Sequence, residues 1–224
     1  HRQLGRLIGL VTFLPLLYFT IKNGLWVVKR YSIIFLLVCL QGFFGWYMVS
    51  SGLVNRIDVS HYRLSIHLFT AFIILSIVFW NFLKLTQLQI NQISIKSFFI
   101  KFFLVLLFMQ LIIGAFVSGM DAGTIYNTWP LMGVSYFPDD SKIIEFLDIT
   151  VFDNPSIVQF LHRNLAYLIM IVYIFLLISI FKETNKIFRK PILIIGISLF
   201  LQVVLGILTI LSGVKIIYAS LHQI

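Results

Sequence analysis

The chain has 224 residues, of which 60 % are apolar and 11 % charged, and its mean hydropathy is +1.01. A soluble domain of this length does not need so much apolar surface, so the bilayer is the solvent and a water-soluble globular enzyme is excluded. The net charge of +9 does not point to nucleic acid, because the basic residues fall in alternate connections between apolar runs.

Apolar runs at about 3–21, 32–54, 64–83, 98–118, 156–181 and 191–213 each reach the roughly 20 residues that cross the hydrocarbon. A seventh starts near 214 and stops at Ile224 in mid-helix, and the chain opens on His1, already at the lip of a helix. Both ends look cut, and the sequence reads as a fragment of a larger protein. The lone cysteine, Cys39, lies inside an apolar run and reads as a small buried residue, since one thiol builds neither a disulfide nor a thiolate metal site.

The first basic connection holds Lys22, Lys29 and Arg30, the second Lys84, Lys96 and Lys101, and the third Lys182, Lys186, Arg189 and Lys190. Glu183 is their only acid, which is the positive-inside pattern. The segments starting at His1, 64 and 156 then run from outside to inside, and the rest run back. The connection 119–154 faces outward and carries Asp121, Asp139, Asp140, Glu145, Asp148 and Asp153 against Lys142 alone. An outer loop of that length is functional or disordered. Tyr126, Trp129, Leu131, Met132, Tyr136 and Phe137 favour an ordered one, packed on the bilayer interface or the mouth of a bundle.

A duplication is visible at an interval of 161 residues. His1-Arg2-Gln3-Leu4 recurs as His162-Arg163-Asn164-Leu165, and Gln41, Gly45, Ser51 and Gly52 recur as Gln202, Gly206, Ser212 and Gly213. The predicted fold is an all-α polytopic membrane protein of two pseudo-repeated four-helix bundles, with about six helices and a partial one present. Residues 1–90 form the N-terminal half and 97–224, with the outer loop 119–154, the C-terminal half.

His1, His67, His162 and His222 each fall within about two turns of the outer surface, on inward-running segments. Taken singly, a histidine there is an interfacial, hydrogen-bonded residue. Four on four segments let two helices of each half present imidazoles to each other, which suits the axial positions of an iron porphyrin. Gly5 and Gly9 follow His1 on its helical face, Ala71 follows His67 and Ala166 follows His162, leaving room for a macrocycle or, alternatively, for close helix packing. Arg2, Arg63 and Arg163 lie beside these histidines and fit either haem propionates or lipid headgroups. His61 lies on another face than His67 and reads as interfacial. Gln41, Gln110 and Gln202 each have a glycine four residues on, a polar-plus-small face suited to helix packing, with glycine also making room for porphyrin.

Several strings resemble the haem A synthase family of alphaproteobacteria and mitochondria. Gly119-Met120-Asp121-Ala122-Gly123 with Tyr126-Asn127-Thr128-Trp129-Pro130-Leu131-Met132-Gly133 is similar to its outer loop. Gly45-Trp46-Tyr47-Met48-Val49 through Leu53, Tyr62-Arg63-Leu64 with His67-Leu68, Gln159-Phe160 with His162-Arg163, and Leu221-His222-Gln223 follow in the order of its third, fourth, sixth and eighth helices. The resemblance implies a membrane oxidoreductase that oxidises a methyl group of haem O to a formyl group, giving haem A for terminal oxidases. It implies a resident haem b held by His162 and His222 with Arg163. The substrate haem would lie between His1 and His67, with Arg2 and Arg63 on its propionates. The family's glutamate would fall just before His1. Haem O, membrane lipid, a haem O synthase and an electron donor are the expected partners. The expected location is the bacterial inner membrane, with the haem-ligand ends and loop 119–154 periplasmic. Two other classes use parts of the same pattern: a di-haem electron-transfer subunit of cytochrome b type, and a transporter of repeated bundles, which would require broken helices and charge at mid-membrane.

Overall fold

The structure is a computed structural model that describes residues 2–50, 59–86, 97–184 and 186–223; the side chains of Arg2, Arg30 and Ser97 lie outside that description. His1, the side chain of Arg2, and Ser51, Gly52, Leu53 and Lys96 therefore fall outside the described residues.

Helices α1 (Arg2–Asn23), α2 (Trp26–Val49), α3 (His61–Leu85), α4 (Ser97–Gly119), α5 (Pro155–Lys182), α6 (Arg189–Leu211) and the short α7 (Ile216–Gln223) account for nearly all regular structure among the described residues. Six of them are long and apolar enough to cross a membrane. The chain is thus an all-α polytopic membrane protein. Helix is the form the solvent demands, because in hydrocarbon every backbone donor and acceptor must be satisfied within the segment. The few hydroxyls in these segments follow the same rule. Thr20, Thr70, Ser179 and Thr209 each donate to the carbonyl four residues back, at 2.6–2.8 Å.

The chain divides into two compact units, His1–Gln89 and Ile90–Ile224. In the first, α1 packs on α2 and α2 on α3. The expected second run, 32–54, is shifted: α2 starts six residues earlier, at Trp26, because Gly24 (φ +90°) makes the turn from α1 within three residues. Lys29 accordingly lies inside the first turn of a helix. Cys39 does not match its expectation; it is exposed on α2 rather than buried.

In the second unit, α4 and α5 form the closest pair, α6 packs on α5, and α7 folds back on α6. Two apolar clusters hold them. Phe103, Leu106, Ile169, Tyr173, Leu176 and Ile192 form the inner one. Ile113, Phe116 and Val158 form the outer one. On α4 the gap between the clusters contains Gln110, and on α5 it contains His162.

Asn154 caps α5, its side chain accepting from the amides of Ser156 (3.0 Å) and Ile157 (3.3 Å), and Pro155 takes the first helical position. The 28 residues of α5 make it about 42 Å long, against roughly 30 Å of hydrocarbon. α5 is therefore about two turns longer than the hydrocarbon requires, and the loop 119–154 packs along its first half. Trp129 Nε1 donates to the Tyr167 hydroxyl at 2.9 Å, and Tyr136 donates to Asn164 Oδ1. Tyr136 and Phe137 set their rings edge-on against Phe160, and Met132 is fully buried. The aromatic residues of the loop thus pack on α5 from Phe160 to Tyr167.

Candidate functional site

His162 and His222 are brought together. Their ring centroids are 6.3 Å apart with the planes at 90°. A metal–imidazole bond is about 2 Å long; two such bonds and the two ring radii together span roughly that separation. Each imidazole rests on a glycine of the neighbouring helix. A Cβ added to Gly114 would stand 3.1 Å from His162 Cε1, and one on Gly206 would stand 3.0 Å from His222 Cε1. Any larger residue would displace the ring.

The same device occurs in the first unit, where a Cβ on Gly45 would stand 3.1 Å from His67 Cε1. Each of these glycines follows a glutamine by four residues, one helical turn, so both face the same histidine. Gln41 Nε2 donates to the His67 carbonyl at 2.9 Å and lies 3.5 Å from His67 Nε2. Gln110 Nε2 donates to the His162 carbonyl at 3.2 Å and lies 3.4 Å from His162 Nε2. The third copy differs: His222 Nδ1 donates to the Gln202 backbone carbonyl at 3.0 Å. That bond fixes the tautomer and leaves Nε2 with the lone pair a metal needs. The Nδ1 atoms of His67 and His162 are buried without a hydrogen-bond partner.

The helical spacing Gln-x-x-x-Gly is visible in the sequence, but its partner is not. The available signal was that three such faces recur in a chain with four candidate histidines.

The described arginine side chains beside the histidines bond within the chain. Arg63 donates Nη1 to the Tyr47 carbonyl at 2.9 Å and stacks over the Tyr47 ring at 3.8 Å. Arg163, 7 % exposed, spends both terminal nitrogens on loop carbonyls: Nη1 on Thr128 (2.9 Å) and Leu131 (3.3 Å), Nη2 on Tyr126 (2.9 Å). Only its Nε, buried and unpartnered, is left. Gln159, which the sequence reading gave no role, also donates to Tyr126 O at 3.0 Å. His61 sits beside the Tyr62 ring, away from His67. A Cβ on Gly5 or Gly9 would meet nothing within 4 Å, so these two glycines are not used for close packing in this unit.

Outside the membrane segments, burial works to raise the Asp140 pKa, but hydrogen bonds from Ser156 (2.7 Å), Tyr126 and Ser141 (3.1 Å) outweigh it and hold the carboxyl below its ordinary range. Asp148 is lowered by the amide and hydroxyl of Thr150.

The donor set fits haem. It is two facing imidazoles, each backed by glycine, one with its distal nitrogen already committed. No cluster of three or more His, Cys, Asp or Glu able to hold a bare metal ion occurs among the described residues. Fold and site thus define a multi-pass helical membrane protein in which two imidazoles face each other in the second unit. The chain belongs to the COX15-CtaA family of cytochrome oxidase assembly proteins, whose match covers residues 1–224. It is 47 % identical over 226 residues to a haem A synthase of Pelagibacter ubique and 41 % identical over 233 residues to one of Rickettsia bellii. These alignments cover all of this chain and 67 % and 68 % of the relatives. No solved structure matches it.

Proposed function

We propose that the chain is the haem-bearing part of a haem A synthase, a membrane oxidoreductase that converts a ring methyl of haem O to a formyl group. The carrying observation is the His162–His222 pair at 6.3 Å in the second unit, repeated in kind by the glycine-backed His67 in the first. The family match and the curated relatives support the reaction.

In this reading, His162 and His222 hold a resident haem b. A haem held by these two residues would supply one-electron chemistry, with a potential tuned by the imidazoles that hold it and their hydrogen bonds. Gln110 and the Gln202 carbonyl orient the rings, and Gly114 and Gly206 set their depth. The first unit takes the substrate haem between His1 and His67, with Arg2 and Arg63 toward its propionates. Arg63 must then leave Tyr47 or use its remaining donors. The expected setting is a bacterial inner membrane with loop 119–154 on the periplasmic side, a haem O synthase delivering substrate, and an electron carrier completing the redox cycle. The loop excludes water from the mouth of the second unit's haem site.

The test is to extract haem from the full-length protein supplied with haem O and to weigh the products. Haem A alongside an unmodified haem b supports the reading. Two unmodified b haems, with no conversion, would support a di-haem electron-transfer subunit instead.

A further inference from the structure

We infer that residues 123–131 are a strap fixing the spacing of His162 and His222, with Arg163, Gln159 and Asn127 as its positioning residues. The inference deepens the haem reading above and rests on it.

The strap is tied at two ends. At one end, three carbonyls of the loop backbone point at α5. Tyr126 O receives both Arg163 Nη2 and Gln159 Nε2, and Thr128 O and Leu131 O receive Arg163 Nη1. Gln159 is 2 % exposed, so neither donor has water as an alternative. Arg163 immediately follows His162 in the chain. On a helix, neighbouring side chains point about 100° apart, so α5 offers His162 to one side and the strap's anchors to another. At the other end, Asn127 Nδ2 donates to Ile210 O at 3.1 Å, on the last turn of α6, and to Gly123 O at 3.2 Å. Gly123 lies against the next turn; a Cβ there would stand 3.3 Å from Val214 Cγ2. Val214 has φ +59°, a left-handed conformation that a β-branched residue disfavours and that its surroundings must impose. Its amide closes the α6 terminus on Thr209 O at 2.8 Å. The turn 212–215 launches α7, which carries His222.

One short segment thus grips the residue beside the first imidazole and the turn that aims the second. Two axial ligands on separate helices need their separation held to a few tenths of an ångström, and the apolar clusters lie on α4, α5 and α6 only. α7 is held to α6 by His222 Nδ1 donating to Gln202 O at 3.0 Å and to α4 by Gln223 Nε2 donating to Ser118 Oγ at 3.4 Å, and neither bond involves α5. The strap supplies that restraint, and it uses the terminal nitrogens of Arg163 for it rather than for a propionate.

The experiment uses full-length, haem-loaded protein with Asn127→Ala, Gln159→Ala and Arg163→Lys. Loop exchange, the electron paramagnetic resonance of the ferric low-spin haem, and its midpoint potential are measured. The first two variants remove no charge, so they separate positioning from propionate binding. The expected result is exchange of the 123–131 amides at least about tenfold faster, as for loss of one or two hydrogen bonds. A shifted or split low-spin signal and a moved potential should accompany it in all three variants. A loosened loop with unchanged signal and potential in both neutral variants overturns the inference, as does an unloosened loop. A change confined to Arg163→Lys assigns the arginine to a propionate and also overturns it. Should Gln159→Ala fail to accumulate, the exposed Asn127 carries the test alone. Failure of the haem reading itself would show separately, as a low-spin signal surviving His162→Ala.

Discussion

Gly114 lies directly beneath the His162 imidazole, with space for hydrogen but not for a methyl: a Cβ would stand 3.1 Å from Cε1. Gly206 under His222 and Gly45 under His67 repeat the relation at 3.0 and 3.1 Å. Three near-equal contacts, on α2–α3, α4–α5 and α6–α7, set each glycine against a histidine ring. Gly114→Ala should displace the ring by tenths of an ångström and weaken haem retention, and Gly114→Val should abolish it. Haem content per protein after detergent purification measures this. Full retention in Gly114→Val would show that the ring does not need that position.

Gly196 provides the contrasting case. A Cβ there would collide with Tyr173, 1.9 Å from its hydroxyl oxygen, and would break the 3.1 Å bond from that hydroxyl to Ile192 O. Overpacking of this kind costs about 1–3 kcal/mol. Gly196→Ala should lower the melting temperature in detergent while leaving the haem spectrum as it was, because Tyr173 belongs to the inner cluster.

Gln110→Leu keeps the size of the side chain and removes the bond to the His162 carbonyl. A loss of about 1 kcal/mol is expected, seen as several-fold faster haem loss to a scavenger globin. Gln41→Leu should act likewise on the first unit. An unchanged off-rate in both would mean that the amides only pack.

Asp140 makes the outer loop sensitive to acid. Its folded pKa is depressed, so its contribution to loop order is present above the unfolded value of about 4 and is lost as pH falls from there through the lower folded value. The carboxylate is exposed, so the effect is small. Limited proteolysis of 137–156 should rise as pH falls across that window in the native protein, and Asp140→Asn should flatten the dependence. A native profile that stays flat would contradict the assignment.

The membrane helices were legible in the sequence because hydrophobic length alone decides them. The packing of the loop's aromatic residues was legible as well: Trp129, Tyr136 and Phe137 had to pack somewhere, and α5 receives them. The pairing of glutamine and glycine with histidine was not, because it joins residues 26 and 52 positions apart across separate helices; periodicity shows which face a residue shares and not what meets that face. Arg163 shows the same gap. Beside a candidate ligand histidine a guanidinium suggested a propionate; its bonds to the carbonyls of Tyr126, Thr128 and Leu131 join residues 32–37 positions apart, which tertiary folding sets.

His67→Ala should stop conversion of haem O while sparing the low-spin haem of the second unit, if the two units divide substrate from resident haem as proposed. Loss of both together would place the resident haem elsewhere.

The central claim is that His162 and His222 ligate one haem between them. The most direct measurement is the electron paramagnetic resonance of the full-length ferric protein carrying His162→Ala or His222→Ala, each alone. Either substitution should convert the resident low-spin bis-imidazole signal to a high-spin one or remove the haem. A low-spin bis-imidazole signal that survives both single substitutions would contradict the account.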